Sequence, residues 1–333
     1  MTYSTISGVG HYVPERIVTN HDLEKLIDTT DDWIQERTGI QERRFFQPGK
    51  DTVAGMGVNA SRVAIERAGL TPEDIDFIVF ATITPDYYFP GSGVLLQREL
   101  NIPNIGALDI RNQCSGFIYA ISVADQFIKS GMYKNVLVVG AEIQSSIMDI
   151  SDKGRAMAVI FGDGAGAVVM QATEDANRRI LSTHLHADGR YAEELIVKDP
   201  GGSRAGRWLS KEMIDNGSTD PYMNGNMVFK HAVVRFPEVI MEALEANGYS
   251  VADVDMLIPH QANLRITNYV REKLKLNEEK VFSNIQKYGN TTAASIPIAL
   301  SEAWETGKIQ PGNLVCLAAF GSGFTWASAL IKW

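Results

Sequence analysis

The chain has 333 residues, 45% hydrophobic and 21% charged, with a net charge of -9 at pH 7. That is room for two domains or one large duplicated fold. The negative balance argues against a nucleic-acid partner, and two cysteines cannot build a disulfide framework. The opening stretch, MTYSTISGVGHYVPERIV, lacks the basic head and long apolar core of an export signal. No run approaches the ~18 uninterrupted apolar residues of a membrane span. The expected location is the cytoplasm, with no membrane partner.

In chain order, AIERAGLTPEDIDFIVFA (64–81) reads as a helix end, a Gly stop, a Thr/Asp turn and a buried strand. QCSGFIYAISVADQFIKSG (113–131) reads as a polar turn, a helix of 3.6-residue apolar period and a capping Gly. NVLVVGAE (135–142) is a buried strand. FGDGAGAVV formally fits G-x-G-x-x-A at Gly162, Gly164 and Ala167. A dinucleotide fingerprint must lead into a helix, whereas AVVM continues as a strand. The reading is a glycine-rich strand turn packed against a neighbour, with no NAD. Residues 186–226, rich in Gly, Asp and Ser, read as a long irregular excursion of the kind that serves a site or an interface.

The second half repeats the first. ALEANGYSVADVDMLIPH (243–260) follows the order of 64–81, GNTTAASIPIALSEAWETG (289–307) that of 113–131, and NLVCLAAF (313–320) that of 135–142. The pattern predicts a duplicated α/β fold with covered sheets, divided into halves 1–175 and 176–333.

The repeat sets Cys114 and Asn290 at equivalent points, each opening the apolar helix of its half. His260 follows a buried strand, and ligands collect at the carboxyl ends of strands in open α/β sheets. Cys114, His260 and Asn290 are therefore expected to meet where the halves join. A lone cysteine is ordinarily a small buried hydrophobe. At a helix start, however, unpaired N–H groups and the helix dipole favour an anion, which predicts a thiol pKa lowered towards neutral. Cys316, inside a buried strand, has none of this. A lone His more often hydrogen-bonds quietly than catalyses, but Asn263 and Arg265 close behind His260 suggest a lined pocket. Asn290 is either a helix N-cap or, if Thr291 or Thr292 caps, free for a ligand. Backbone amides of GSGFTW (321–326) offer an oxyanion site. No Cys/His cluster has metal spacing.

With these motifs go TTDDWIQERTGIQERR, GRAMAVIFGDGAGAVV, GNMVFKHAV, IPHQANLRI, KYGNTTAASIPIAL and AFGSGFTWASAL, in that order. Together they resemble the beta-ketoacyl-[acyl-carrier-protein] synthase III family of the thiolase superfamily over nearly the whole chain. The resemblance implies a thiolase fold, two pseudo-symmetric halves in a layered α-β-α-β-α core, and a homodimer. It implies a decarboxylating condensation of an acyl-CoA with malonyl-ACP that initiates fatty-acid synthesis, with no metal and no permanently bound cofactor. Cys114 is then the acylated nucleophile, and His260 and Asn290 promote decarboxylation. The amides of Cys114 and Ser322 are the oxyanion donors. Trp33, Arg37, Arg155 and Asn263 correspond to CoA-binding residues, and Lys230, Arg265, Arg271 and Lys273 to a basic patch for acidic ACP. Packing for Trp33 and a solvated face for the arginines are the plainer readings.

Phe89 corresponds to the residue that reaches across the dimer to close the other subunit's acyl pocket, and Gln113 adds a polar group beside the nucleophile. Elongating synthases of the superfamily have a second His where Asn290 stands, and thiolases a second Cys near the terminal glycine turn, so the Cys–His–Asn set favours priming. The chain departs from the family's usual residues at Arg111-Asn112-Gln113, Ser322 and Ala327, and in its longer, more aromatic loop ATITPDYYFPGSG. These departures leave a second reading, a secondary-metabolite ketosynthase or acyltransferase with a non-acetyl starter. A third, a catalytically silent partner subunit, is disfavoured by the intact Cys–His–Asn set.

Overall fold

The computed structural model describes residues 2–203 and 206–333. Two sheets organise it. The first contains β1 (Tyr3–Tyr12), β2 (Phe77–Ala81), β3 (Gly106–Ile110), β4 (Asn135–Glu142) and β5 (Gly164–Thr173), in the order β1-β5-β4-β2-β3. The second contains β6 (Arg179–Ala187), β7 (Met256–Pro259), β8 (Leu314–Gly321) and β9 (Thr325–Lys332), in the order β6-β9-β8-β7. Directions match as well. β2 and β4 are parallel, as are β7 and β8, while β4–β5 and β5–β1 in the first sheet, and β8–β9 and β9–β6 in the second, are antiparallel.

The helices form three layers around these sheets. Helices α2 (Val53–Arg67) and α3 (Ser92–Glu99) cover the outer face of the first sheet. Helices α5 (Gly225–Ala246) and α6 (Leu264–Leu274) cover the outer face of the second. Between the sheets lie α4 (Gly116–Lys129) and α7 (Ser295–Glu305), the two predicted apolar helices. Strand side chains alternate between faces. Val79 and Val138 point to the central layer and Ile78, Phe80 and Leu137 to the outer one, while Val315 and Leu317 face the centre and Leu314 and Cys316 the outside. With both faces of each sheet covered at its centre, the inner strands β2, β4 and β8 are apolar along nearly their whole length.

The central helix α4 is apolar on nearly every side because a sheet lies on each side of it. Phe117, Ile118, Ile121 and Ile128 have no exposed surface, and each such burial is worth about 1.5–3 kcal/mol. Its one buried acid, Asp125, is satisfied by Ser4 Oγ at 2.5 Å and Lys129 Nζ at 2.8 Å. Gly131, at φ +77°, ends the helix where the sequence predicts a stop. The glycine-rich run is a strand, as its pattern requires, and its neighbour is α7. A Cβ on Gly166 would fall 2.6 Å from Pro297 Cβ.

Three details differ from expectation. Cys114 and Asn290 do not begin their helices. Cys114 sits within a one-turn 3-10 segment, Gln113–Ser115, and Asn290 just before another, Thr292–Ala294. The stretch 186–226, of which 204 and 205 lie outside the described residues, is less irregular in its described part than its composition suggests. It begins inside β6 and ends inside α5, and holds a two-residue ladder (Leu195–Ile196 with Tyr222–Met223) and a helical turn, Lys211–Asp215. Ser322 and Ala327 are accommodated without strain. Neither has a positive φ, and Ala327 is fully buried opposite Ala319. No helix among the described residues is long and apolar enough to cross a membrane.

Candidate active site

Cys114 stands where two cavities meet. One, of about 440 Å³, is lined by Cys114, His260, Asn290, Trp33, Arg37 and Asn263, among others. The other, of about 480 Å³, is lined by Cys114, Gln113, Gln144, Met157, Thr292 and Ser322, among others. Phe161 and Leu195 wall both. Each of the three expected polar residues thus reaches one space, from elements of both halves.

The turn before α4 delivers Cys114 into a tight corner. Gly321, the last residue of β8, approaches so closely that a Cβ there would lie 2.6 Å from Cys114 Cβ and 3.0 Å from Sγ. The next amide, Ser322 N–H, and that of Cys114 itself both bond towards the sulfur. The Ser322 hydroxyl turns away and donates to the Leu195 carbonyl. Cys114 is only 7% exposed.

This enclosure overturns the expectation of a lowered thiol pKa. Burial, and after it the nearby Glu142 carboxylate, push the Cys114 thiol up to about 12 despite the two amides. Hydrogen bonds to the sulfur lower its pKa and apolar burial raises it; here desolvation wins. Glu142, at the end of β4, is itself fully buried and pushed up to about 7 by burial, against hydrogen bonds donated by the residues 82–84.

His260 follows β7 and continues its ladder, donating N–H to the Ala318 carbonyl at 2.8 Å. Its Nδ1 lies 2.6 Å from Ser295 Oγ, and its Nε2 is buried without a partner. Ser295 Oγ also accepts the Gln261 N–H, at 3.4 Å. In the tautomer in which Ser295 donates to Nδ1, the ring proton is on Nε2. Burial pulls the His260 pKa down to about 3, so the ring is neutral. The outcome is a neutral imidazole whose Nε2 is unspent.

Asn290 answers its capping question in an intermediate way. Its Oδ1 accepts the Thr292 N–H at 2.9 Å. The acceptor end is thus spent on the turn, while Nδ2 has no partner among the described residues. Its backbone is tied to the other half through Ile160 and Gly162, at 2.9 and 3.1 Å. Two unspent nitrogens, His260 Nε2 and Asn290 Nδ2, are left on residues that line the first cavity.

The rim is built by α1 (Asp31–Thr38) and α6. Asn263 caps α6 by accepting the Arg265 N–H at 2.9 Å, and it donates to the Arg37 carbonyl at 3.0 Å, fastening the two helix ends together. Arg37 and Arg155 guanidinium groups lie 4.9 and 5.2 Å from the Trp33 ring centre. The expected basic patch divides. Lys230 and Arg265 are exposed, with no acidic partner among the described residues, and Arg265 lies over Phe229 at the rim. Arg271 is spent on Glu278 and Glu272, and Lys273 lines a separate groove with Glu238, Glu242 and Glu245. Both lie about 9–12 Å further along α6 at 1.5 Å per residue. Phe89 is 80% exposed and lines neither cavity of its own chain.

The sequence reading missed Ser295, Gln144 and Glu142. Ser295 lies within a quoted motif but meets His260 only across 35 positions of chain. Gln144 and Glu142 carried a local signal, since both stand at the carboxyl end of a buried strand, as His260 does. Among the described residues no group of three or more His, Cys, Asp and Glu is placed to hold a metal ion.

The family models described as 3-oxoacyl-[acyl-carrier-protein] synthase III and its C-terminal part match residues 108–189 and 244–333. A beta-ketoacyl-[acyl-carrier-protein] synthase III of Xanthomonas euvesicatoria is 48% identical over 99% of this chain and 98% of its own. The solved 3-oxoacyl-[acyl-carrier-protein] synthase III of Aquifex aeolicus superimposes with a TM-score of 0.90 at 45% identity, over 99% of this chain and all of that one. The priming beta-ketosynthase of the R1128 polyketide pathway superimposes equally well, with a TM-score of 0.90 at 34% identity over 99% of this chain and 96% of that one.

Proposed function

The chain belongs to the 3-oxoacyl-[acyl-carrier-protein] synthase III family and has its thiolase fold, and from this we infer that it condenses an acyl-CoA with malonyl-ACP, an acyltransferase reaction that initiates fatty-acid synthesis. The observation that carries this reading is Cys114 at the junction of two cavities, one of them also lined by His260, whose Nε2 is unpartnered, and by Asn290, whose Oδ1 is spent on Thr292.

In the first stage Cys114 Sγ attacks the thioester carbonyl of acyl-CoA. The S–CoA bond breaks, and the Cys114 proton leaves with the CoA sulfur, so the step balances without a stored charge. That suits a buried thiol kept protonated at rest. The amides of Cys114 and Ser322 take the developing oxyanion. The acyl chain goes into the cavity bearing Gln113, and the CoA lies towards Trp33, Arg37, Arg155 and Asn263, where an indole face and guanidinium groups suit a nucleotide and its phosphates.

In the second stage malonyl-ACP enters the first cavity. His260 Nε2–H and Asn290 Nδ2–H donate to its thioester oxygen, so that charge developing as CO2 departs is held on an enolate. A neutral His fits, because a donor is needed and no proton has to move to the ring. The enolate carbon then attacks the acyl-Cys114 carbonyl. Beta-ketoacyl-ACP leaves, and the Cys114 thiolate takes one proton from solvent. No step needs a metal or a bound cofactor.

Arg265 at the rim and the exposed Lys230, next in sequence to the rim residue Phe229, are the members of the basic patch best placed for an acidic carrier protein; Arg271 and Lys273 are secondary. A homodimer goes with this reading, supported by the exposed aromatic cluster of Tyr87, Tyr88 and Phe89, with Trp208 5.0 Å from Tyr88. So do a cytoplasmic location and the division into halves at about residue 175. The test separates the two stages. With acyl-CoA alone, the wild type and His260→Ala should both gain the acyl mass on Cys114. With malonyl-ACP added, only the wild type should release CO2. Equal CO2 release from both would remove His260 from the decarboxylation step.

A further inference from the structure

The cavity on the acyl side sets a few polar groups among a mostly apolar lining. Gln144 is 2% exposed and its Nε2 has no hydrogen-bond partner; Thr292 is also 2% exposed and its Oγ1 has none. Both line the cavity that opens at Cys114 away from the His260 lining. A buried polar group without a partner is costly, and such groups are rare enough in native proteins that each calls for something to fill it.

Gln144 is held where it is. Its N–H donates to the Asp163 carboxylate, and its carbonyl accepts the Ile147 N–H at 3.2 Å. The following Ser145 donates to the same carboxylate through both N–H and Oγ. Asp163 is fully buried and also receives the Phe46 N–H at 2.7 Å, so the segment is pinned at several points. The side chain therefore extends from a fixed backbone.

The rest of the lining is mostly apolar, with Ile147, Met148, Met157 and Phe161 among it, so the polar groups are few and placed. Arg111 and Gln113 add donors. Asp199, the one acid among the described lining residues, already has an interaction of its own. The volume of about 480 Å³ is the room of many water molecules at roughly 30 Å³ each, more than a two-carbon acetyl group fills. A plain alkyl chain of any length offers these donors nothing.

We propose that the acyl group taken up by Cys114 carries a hydrogen-bond-accepting oxygen along its chain, and that Gln144 Nε2–H selects for it. The proposal rests on the condensation reading and specifies only its starter; the bonds made and broken at Cys114 are those of the first stage.

The test uses the full chain and matched CoA thioesters: butanoyl, 3-hydroxybutanoyl, acetoacetyl and succinyl. The rate of mass gain at Cys114 is followed for each. Labelling by at least one oxygenated thioester should exceed that by butanoyl-CoA about tenfold or more, and the fastest arm identifies the oxygen as hydroxyl, keto or carboxylate. Gln144→Met, close in volume but apolar, should collapse that ratio towards one, and Gln144→Leu should do the same. A misfolded variant labels with nothing, so the ratio is read only on protein that labels, and the wild-type ratio decides alone if neither variant does. Butanoyl labelling as fast as every oxygenated arm overturns the proposal and leaves the condensation reading standing. A ratio that survives both substitutions also overturns it. Labelling by none of the four, nor by acetyl-CoA, overturns the condensation reading and this proposal with it.

Discussion

Glu142→Gln tests the electrostatics of the site at a residue outside the proposed chemistry. The carboxyl is fully buried at the end of β4, and its folded pKa is pushed up to about 7, chiefly by burial. Unfolded, a Glu titrates near 4.3. The folded state therefore holds this proton more tightly. Its contribution to stability is complete below about pH 4.3 and is lost as pH rises through 7. Integrated from pH 5 to pH 8, the loss is about 2–3 kcal/mol at 1.36 kcal/mol per pKa unit. The donors from residues 82–84 keep it from being larger. Glutamine removes the titration but keeps an acceptor for those donors. Urea unfolding of both proteins, followed by tryptophan fluorescence at pH 5 and pH 8, should show the variant gaining about 2–3 kcal/mol on the wild type across that interval. Parallel pH dependences would refute the assignment of a raised pKa to Glu142.

The thiol itself gives a second prediction. With burial holding Cys114 near a pKa of about 12, its alkylation by iodoacetamide should rise about tenfold per pH unit through pH 9. A plateau near neutral pH would mean that the helix start outweighs burial. Ser295→Ala, which leaves His260 Nδ1 without its partner, should lower CO2 release from malonyl-ACP about ten- to a hundredfold, with Cys114 acylation intact and Ser295→Thr restoring it. Loss of acylation as well would make Ser295 merely structural. Gly321→Ala places a Cβ 2.6 Å from Cys114 Cβ. It should cost about 1–3 kcal/mol in stability and slow acylation about a hundredfold by displacing the sulfur. Wild-type values would show that β8 yields there.

The repeat made the architecture legible in the sequence alone. Matching helix–strand runs at 64–81 and 243–260 became β2 and β7, and the buried strands at 135–142 and 313–320 became the centres of their sheets. The same repeat singled out Cys114 and Asn290, because each half shows where its central helix starts. What surrounds those residues was not legible. The pKa of a thiol depends on how much water reaches it, and that is decided by Gly321 and Glu142, which arrive from two other strands. The hydroxyl that orients His260 lies 35 residues away. The basic patch divided for a geometric reason, since Arg271 and Lys273 stand about 9 and 12 Å further along α6 than Arg265 and meet acidic residues there. Gln144 looked like the polar end of a strand until the fold turned it, unpartnered, into the cavity beside the nucleophile.

The central claim is that Cys114 carries an acyl group into a decarboxylating condensation. It is tested most directly by supplying purified protein with malonyl-ACP and a panel of acyl-CoAs and weighing the carrier protein by mass spectrometry. Beta-ketoacyl-ACP should form with at least one starter, in step with CO2, and should disappear with Cys114→Ala. Absence of that product from every acyl-CoA, or its formation at the wild-type rate by Cys114→Ala, would contradict the claim.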